Sequence, residues 1–185
     1  MKWLIGAVLA SAFALADTTV VLKTNLGEIE IRVDETQAPA TAANFLKYVR
    51  AGAYENGIFH RTVTLQNQPQ NKIRIQVIQG GKRPDAAEYP PVKLERTNVT
   101  GLKHKDGAVS MARDAADTAT SDFFICIGDQ PELDFGGKRN PDGQGFAAFG
   151  KVTRGMEVVR AIQSAAAEGQ TLKPPITILN ARIVK

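Results

Sequence analysis

Two hydrogen-bonding side chains frame the stretch of this sequence that is best suited to chemistry. Arg61 ends Ile58-Phe59-His60-Arg61, and Gln79 opens Gln79-Gly80-Gly81. A guanidinium keeps its charge and presents five N–H donors, so a fixed arginine can stabilise charge that develops in a transition state. We expect Arg61 and Gln79 to lie on one face of the protein, on two strands separated by the polar loop Gln66–Lys72.

Other residues that could carry catalysis are few. With two histidines and one cysteine, no zinc site is expected, and no cofactor motif is present. Cys126 lies in the apolar run Phe123–Ile127, which favours a buried thiol over a nucleophile. A hydrolase built on Ser121 or Cys126 would lack a convincing base. Four acidic residues have no EF-hand spacing and are interpreted as solvated loop carboxylates: Asp114, Asp117, Asp122 and Asp129.

The length and charge of the chain limit the function classes. The 185 residues are enough for one domain with a sizeable core. The net charge is +4, but Lys and Arg are scattered among Asp and Glu, with no arginine cluster and no interleaved aromatic residues. Nucleic-acid binding is therefore not expected. As a separate expectation, the protein is a monomer.

Residues 1–16 have the features of a secretory signal peptide. Lys2 precedes an apolar run, and Ala14-Leu15-Ala16 ends the segment ahead of polar Asp17. A membrane anchor is the alternative, but this run is about 14 residues long and a spanning helix needs roughly 20. We expect residues 17–185 to form one exported domain without membrane association, either periplasmic or secreted. A single cysteine cannot form an internal disulfide, so the core must stabilise this domain.

Alternating apolar residues predict strands through most of the chain, and two segments have helical periodicity. One helix follows Pro39 and ends near Gly52, and the other spans Met156–Ala166. Pro174 and Pro175 are interpreted as the end of a linker. The predicted strands are Thr19–Thr24, Glu28–Val33, Ile58–Leu65, Ile73–Gln79, Ala108–Ala112, Phe123–Ile127, Phe146–Val152 and Ile176–Val184. The pattern predicts a mainly β fold: a closed eight-stranded antiparallel β-barrel capped by two α-helices, with the first and last strands paired.

Six stretches in this order closely resemble the cyclophilin family of peptidyl-prolyl cis-trans isomerases. They are Ile58–Arg61, Gln79–Gly81, Ser110–Arg113, Ser121–Ile125, Pro131–Asp134 and Phe146–Gly150. The segment Ala38–Leu46 is similar as well, so the resemblance covers essentially the whole chain after residue 16. It implies a cyclophilin-like domain over residues 17–185. It also implies a cofactor-free, non-covalent isomerase that helps exported proteins to fold, with proline-containing unfolded or flexible polypeptides as its partners.

The resemblance also assigns roles. Rotation of an amide must overcome a barrier of ~18–20 kcal/mol, and it requires no acid, nucleophile or metal. Arg61 would stabilise the twisted amide, and Gln79 would bind the substrate backbone. The main chain at Ala112 and Arg113 would hold the residue before proline. His60 is a candidate substrate-binding residue that could orient its neighbours by hydrogen bonding or, as the alternative, take part directly in catalysis. The apolar pocket for the proline ring would be formed by Met111 or Val77, together with Phe124, Leu133 and Phe146. Apart from the resemblance, Phe124 and Leu133 are more typical of ordinary core residues, and Arg61 is more typical of a surface ion-pair residue.

The chain departs from the family pattern between its two most family-like motifs. About ten extra residues, centred on Gln66–Lys72, separate them, and Gln76 and Val77 stand where an aromatic residue and a methionine are usual. The pocket therefore lacks a large apolar wall unless the inserted segment supplies one. This departure favours the alternative function, a proline-peptide binding module or chaperone with little isomerase turnover.

Three further departures concern ligand preference. Glu132 stands at the tryptophan position of cyclosporin-sensitive members, so we expect weak binding of cyclosporin A. Phe146 stands at the position of a pocket histidine, and Asp122 replaces a glutamine.

Overall fold

The computed structural model describes residues 18–184, and the predicted signal peptide lies outside them. Residues 18–184 form nine strands, three helices and one 3-10 turn, Pro131–Leu133. The helices are α1 (Pro39–Arg50), α2 (Thr97–Thr100) and α3 (Met156–Gln163). The strands are β1 (Thr18–Thr24), β2 (Gly27–Val33), β3 (Gly57–Val63), β4 (Val77–Gly81), β5 (Ala108–Met111), β6 (Phe123–Cys126), β7 (Ala148–Arg154), β8 (Ala167–Glu168) and β9 (Thr171–Val184).

Eight of these strands form a closed antiparallel barrel. Their order is β1-β2-β7-β5-β6-β4-β3-β9, and β9 pairs back with β1 to close the sheet, whereas the two-residue β8 extends only β9. Ile29, Ile31 and Val33 of β2 are fully buried, as their alternation with polar residues predicts. The predicted closed eight-stranded barrel, with its first and last strands paired, is confirmed.

Helix α1 covers one end of the barrel with an aromatic cluster. Pro39 opens the helix, where its missing N–H has no intrahelical partner to lose. The ring of Phe45 lies 4.9 Å from that of Phe149 and 5.6 Å from that of Phe123. Tyr54, just after the helix, adds an edge contact at 5.4 Å with Phe123. These fully buried rings anchor the helix to the barrel interior.

Two predicted boundaries differ from the structure. The segment predicted as strand from Ile73 is paired only from Val77 onward, because the buried side chain of Gln68 bonds both the N–H and the C=O of Ile75. Pro174 and Pro175 lie within β9 rather than in a linker. The β3–β9 register shifts between Phe59 and Arg61, and this irregularity accommodates prolines that cannot donate to a ladder.

The remaining differences are smaller. Helix α3 ends at Gln163 instead of Ala166, with Ser164 as its C-cap. The short helix α2 was not predicted, since four residues carry no helical periodicity. None of the helices within residues 18–184 combines the length and apolar character that crossing a bilayer requires.

Candidate active site

Strands β4, β5 and β6 carry two apolar clusters on opposite faces. Val109, Met111 and Phe123 belong to the large interior core. The alternate residues form a second cluster, the pocket cluster, which comprises Val63, Ile75, Val77, Ala108, Phe124, Cys126 and Leu133, with Ala112 and Phe146 packed against it. Because successive side chains on a strand point to opposite faces, the two clusters share these strands. The pocket cluster borders a cavity of about 550 Å³.

Arg61 and Gln79 lie directly opposite each other on β3 and β4, as expected. The Arg61 Nη1 atom donates to Gln79 Oε1 at 3.0 Å. Its Nε and Nη2 atoms donate to Gln170 Oε1 at 2.9 and 2.7 Å. Both acceptors are neutral amides, so the guanidinium is fixed in position without a carboxylate that would neutralise it. Gln170 was not identified from the sequence, because it lies more than a hundred positions from Arg61.

Asp122 determines the orientation of the Gln79 amide. Gln79 Nε2 donates to Asp122 Oδ2 at 3.3 Å, which leaves Gln79 Oε1 directed at Arg61. The same carboxylate oxygen lies 3.6 Å from His60 Nε2. His60 is half-buried beside the cavity and is not among the residues that line it. Its position fits the expected orienting role, through Asp122.

The main chain at Ala112 is held in place by its neighbours. The Ala112 N–H donates to the Asp122 carbonyl at 2.9 Å. The Arg113 side chain is 1% exposed; it donates to the Gly145 carbonyl at 2.6 and 2.9 Å and forms an ion pair with Asp142 at 2.8 Å. Its guanidinium also lies 5.0 Å from the centre of the Phe146 ring. Arg113 therefore ties the loop before β7 to the edge of the cavity, beside the backbone expected to hold substrate.

Four of the five predicted pocket residues reach the cavity: Val77, Phe124, Leu133 and Phe146. The rings of Phe124 and Phe146 meet edge to face at 5.4 Å. Met111 does not reach it. Its side chain is in the interior core, because Ala112, and not Met111, has the strand parity that faces the cavity.

The inserted segment supplies an apolar wall for the cavity, which Gln76 and Val77 alone would not provide. Ile75 is 6% exposed, belongs to the pocket cluster and lines the cavity next to Val77. In the sequence, the alternation of Ile73, Ile75 and Val77 indicates that these side chains lie on one face of an extended segment. It does not indicate that this face borders a cavity. Because Gln68 fixes the main chain of Ile75, the wall is held although no strand pairs with it.

Arg139 is a second arginine on the cavity wall that the sequence did not indicate. Its Nη1 atom donates to Gln68 Oε1 at 3.0 Å and to the Ile73 carbonyl at 2.7 Å. Burial lowers the pKa of Arg139 from its ordinary value. Burial also lowers the pKa of Arg61, and the positive charge of Arg139 lowers it further. The two guanidiniums thus share a partly desolvated region.

Two buried groups could suggest nucleophilic catalysis: the Cys126 thiol and the hydrogen-bonded chain of His104 and Ser110. Neither group faces the cavity. Burial raises the pKa of the Cys126 thiol far above its ordinary value, so the thiolate is not formed. His104 bonds Asp134 at 2.8 Å and Ser110 at 3.0 Å, but Ser110 is fully buried. His104 stacks on Phe124 at 5.9 Å, so this hydrogen-bonded chain supports the pocket wall from behind. Residues 18–184 hold no group of three or more His, Cys, Asp or Glu arranged for a metal ion.

The structure combines a closed antiparallel barrel, a cavity bordered by the pocket cluster, and a fixed arginine–glutamine pair. These features define a cyclophilin-like protein. The sequence model of the family described as cyclophilin type peptidyl-prolyl cis-trans isomerase/CLD matches residues 19–183. The chain belongs to this family and is a cyclophilin-type peptidyl-prolyl cis-trans isomerase.

Curated relatives carry the same activity in their names. Peptidyl-prolyl cis-trans isomerase A of Dickeya dadantii is 38% identical over 184 residues, which cover 94% of this chain and 89% of that protein. Peptidyl-prolyl cis-trans isomerase B of Escherichia coli is 39% identical over 151 residues, covering 80% of this chain and 85% of that protein.

Solved structures share the fold at lower sequence identity. A cyclophilin-type isomerase of Cryptosporidium parvum has a TM-score of 0.73 at 23% identity, covering 91% of this chain and 98% of that chain. A second crystal structure of that protein was obtained in the presence of the dipeptide Ala-Pro; its TM-score is 0.70.

Proposed function

We propose that this isomerase accelerates rotation about X–Pro bonds in unfolded or flexible polypeptides, with Arg61 stabilising the twisted amide. The observation that carries the proposal is the guanidinium fixed by two amide oxygens in a cavity that the apolar pocket cluster borders. Rotation removes the double-bond character of the amide and returns a lone pair to the prolyl nitrogen. A donor already oriented toward that atom stabilises this state more than either planar isomer, which lowers the barrier.

The cavity surface provides the remaining requirements of a peptide site. Phe124, Leu133, Phe146 and Ile75 offer an apolar pocket of the kind that a proline ring fills. In this proposal the backbone at Ala112 and Arg113 holds the residue before proline, and Gln79 binds the substrate main chain. The structure obtained with Ala-Pro in the Cryptosporidium parvum protein supports a proline-peptide ligand here.

We further propose that the protein acts on exported polypeptides outside the cytoplasm. The support is the signal-peptide pattern of residues 1–16. Expression of the full chain, osmotic-shock fractionation and mass measurement should then yield a periplasmic or secreted protein that begins at Asp17. A full-length protein retained in the cytoplasm would overturn this part of the proposal.

Arg61→Ala tests the mechanism directly. Removing one preorganised donor of this kind lowers turnover by about 100-fold or more, whereas the barrel should remain folded. Peptide isomerisation and proline-limited refolding measure the rate, and circular dichroism checks the fold. The matched control is Arg50→Ala, which removes an exposed arginine from the last turn of α1. Full activity of Arg61→Ala would contradict the proposed role of Arg61. Peptide binding by the wild-type protein without faster isomerisation would support the alternative function, a proline-peptide binding module.

A further inference from the structure

We propose that Arg139 and Arg61 form an anion-binding subsite that makes this isomerase favour substrates with Asp or Glu at the first or second position after proline. The proposal rests on the proposed function, because it places the substrate in the same cavity. It assigns Arg139 as a specificity-determining residue and the inserted segment as the element that positions it.

The guanidinium of Arg139 is fixed from one side and free on the other. Its Nη1 atom takes both acceptors that the protein offers, Gln68 Oε1 and the Ile73 carbonyl. Within residues 18–184, its Nε and Nη2 atoms donate to no protein acceptor, although the side chain lines the cavity and is partly buried. A guanidinium that retains two unused N–H-bearing nitrogens can bind a carboxylate in the bidentate geometry it favours.

Within residues 18–184, neither the Arg61 nor the Arg139 guanidinium is bound directly by a carboxylate, since no Asp or Glu forms an ion pair with either of them. The Arg113 guanidinium, by contrast, is paired with Asp142. Two neighbouring, partly desolvated cations without a directly bound carboxylate make this end of the cavity attractive to an anion.

Acidic residues also line the cavity. They are Glu88, Asp114 and Asp122, and the lining includes one lysine, Lys82. The Asp122 carboxylate accepts from Gln79, the partner of Arg61, so this acidic group reaches the neighbourhood of Arg61 as well as that of Ala112. Ala112 itself bonds to the main chain of Asp122 at the start of β6. An acidic side chain on a bound peptide is therefore favoured beside Arg139 and disfavoured beside Ala112.

The strand register relates these two positions to the direction of the substrate. Ala112 lies beside the first residue of β6, whereas Val77, which opens β4, pairs with Cys126, the last residue of β6. Arg139 binds Ile73, upstream of Val77, so it lies beyond the far end of β6. With the residue before proline at Ala112 and the ring against Phe124 in the middle of the site, the residues after proline extend toward Arg139.

The inserted segment is what makes this subsite. Gln68 is 2% exposed, and its amide bonds Thr64, Ile75 and Arg139 together. The extra residues after β3 therefore supply both the apolar wall at Ile75 and the two acceptors that aim Arg139. A short connection between β3 and β4 would leave the Arg139 side chain without either acceptor.

Matched peptides test the proposal. Two pairs, each with an amidated C-terminus so that no terminal carboxylate is present, differ only in Glu or Gln at the first or second position after proline. For at least one pair, wild type should prefer Glu about five- to tenfold, both in kcat/KM and in affinity by calorimetry. The preference should shrink as salt rises. Arg139→Gln should reduce the Glu/Gln ratio to near one.

The matched control is Arg74→Gln, which removes an exposed arginine of the same segment that does not line the cavity. It should keep the wild-type ratio. A wild-type ratio near one for both pairs, or an Arg139→Gln protein that retains the preference, would overturn the proposal. Failure of the proposed function gives a different result: no peptide would be isomerised faster, while the affinity ratios would still decide whether this subsite exists.

Discussion

One oxygen of Gln170 accepts both the Nε and the Nη2 hydrogen bonds of Arg61, at 2.9 and 2.7 Å. The amide nitrogen of Gln170 in turn donates to the Asn67 carbonyl at 3.2 Å. The turn between β8 and β9 and the inserted segment after β3 thus meet behind the arginine that we propose as catalytic. The guanidinium is oriented by residues distant from it in sequence, and it retains its full charge.

Gln170→Leu should lower kcat/KM about tenfold, mainly through kcat, because the guanidinium loses the acceptor that orients it while the apolar pocket is unchanged. Gln170→Asn, which keeps a neutral amide acceptor on a side chain one methylene shorter, should retain more activity than Gln170→Leu. Steady-state peptide isomerisation separates kcat from KM. Equal losses in the two variants, or a loss confined to KM, would contradict a positioning role for Gln170.

Ile75→Ala should raise KM about fivefold, since it removes the apolar wall supplied by the inserted segment. The control is Ile73→Ala, whose side chain is only partly buried and does not line the cavity. Because Ile75 is buried, the substitution should also lower the free energy of unfolding, by roughly 2–4 kcal/mol. Urea unfolding measures this loss and defines conditions in which the variant is folded. An unchanged KM would show that Ile75 does not contact the proline ring.

Cyclosporin A should bind weakly to the wild-type protein. Glu132 stands where an indole is present in sensitive members, and its carboxylate accepts a hydrogen bond from the Lys138 main chain at 2.8 Å. Glu132→Trp should strengthen binding by at least tenfold. Isothermal titration calorimetry measures both affinities. Tight binding by wild type would mean that the loop around Glu132 meets the ligand differently from our assignment.

The Arg113–Asp142 pair should make stability depend on pH only in the acid range. Hydrogen bonds from the Arg113 guanidinium hold the pKa of Asp142 below its ordinary value, which is about 3.9 in an unfolded chain. The contribution of this carboxylate is therefore complete above that value and is lost as pH falls through the lower folded-state pKa.

Asp142→Asn provides the comparison for this prediction. The difference in unfolding free energy between wild type and Asp142→Asn should be constant from pH 8 to about pH 5 and should shrink below about pH 4. Urea unfolding across this range checks it. A difference that changes mainly between pH 6 and 8 would implicate another group.

Features set by local periodicity could be predicted from the sequence. The alternation in β2 and the apolar run of β6 determine burial residue by residue, and barrel closure follows from strands at both ends of the domain. Arg61 and Gln79 were predicted to lie on one face, and the structure adds that they are directly opposite each other on paired strands. Met111 was misplaced because a one-residue difference in strand parity changes the face on which a side chain lies.

The features that could not be predicted depend on side chains that bridge distant segments. Gln170 and Arg139 reach Arg61 and Gln68 across the fold, and no periodicity marks such contacts. Gln68 replaces strand pairing with side-chain bonds to Ile75, so a polar insertion contains a fixed apolar wall. The periodicity of a single segment does not reveal any of these side-chain contacts.

Closure of the barrel through β1 and β9 also constrains how the chain can fold as it is made. Thr19 at one end of the domain pairs with Val184 at the other, so the strand pairing that closes the barrel joins residues separated by nearly the entire domain sequence. Such long-range pairing carries a large loop-closure entropy and forms slowly. The sheet therefore keeps open edges until the final strand has been synthesised, and a chain that lacks its last dozen residues cannot complete the barrel.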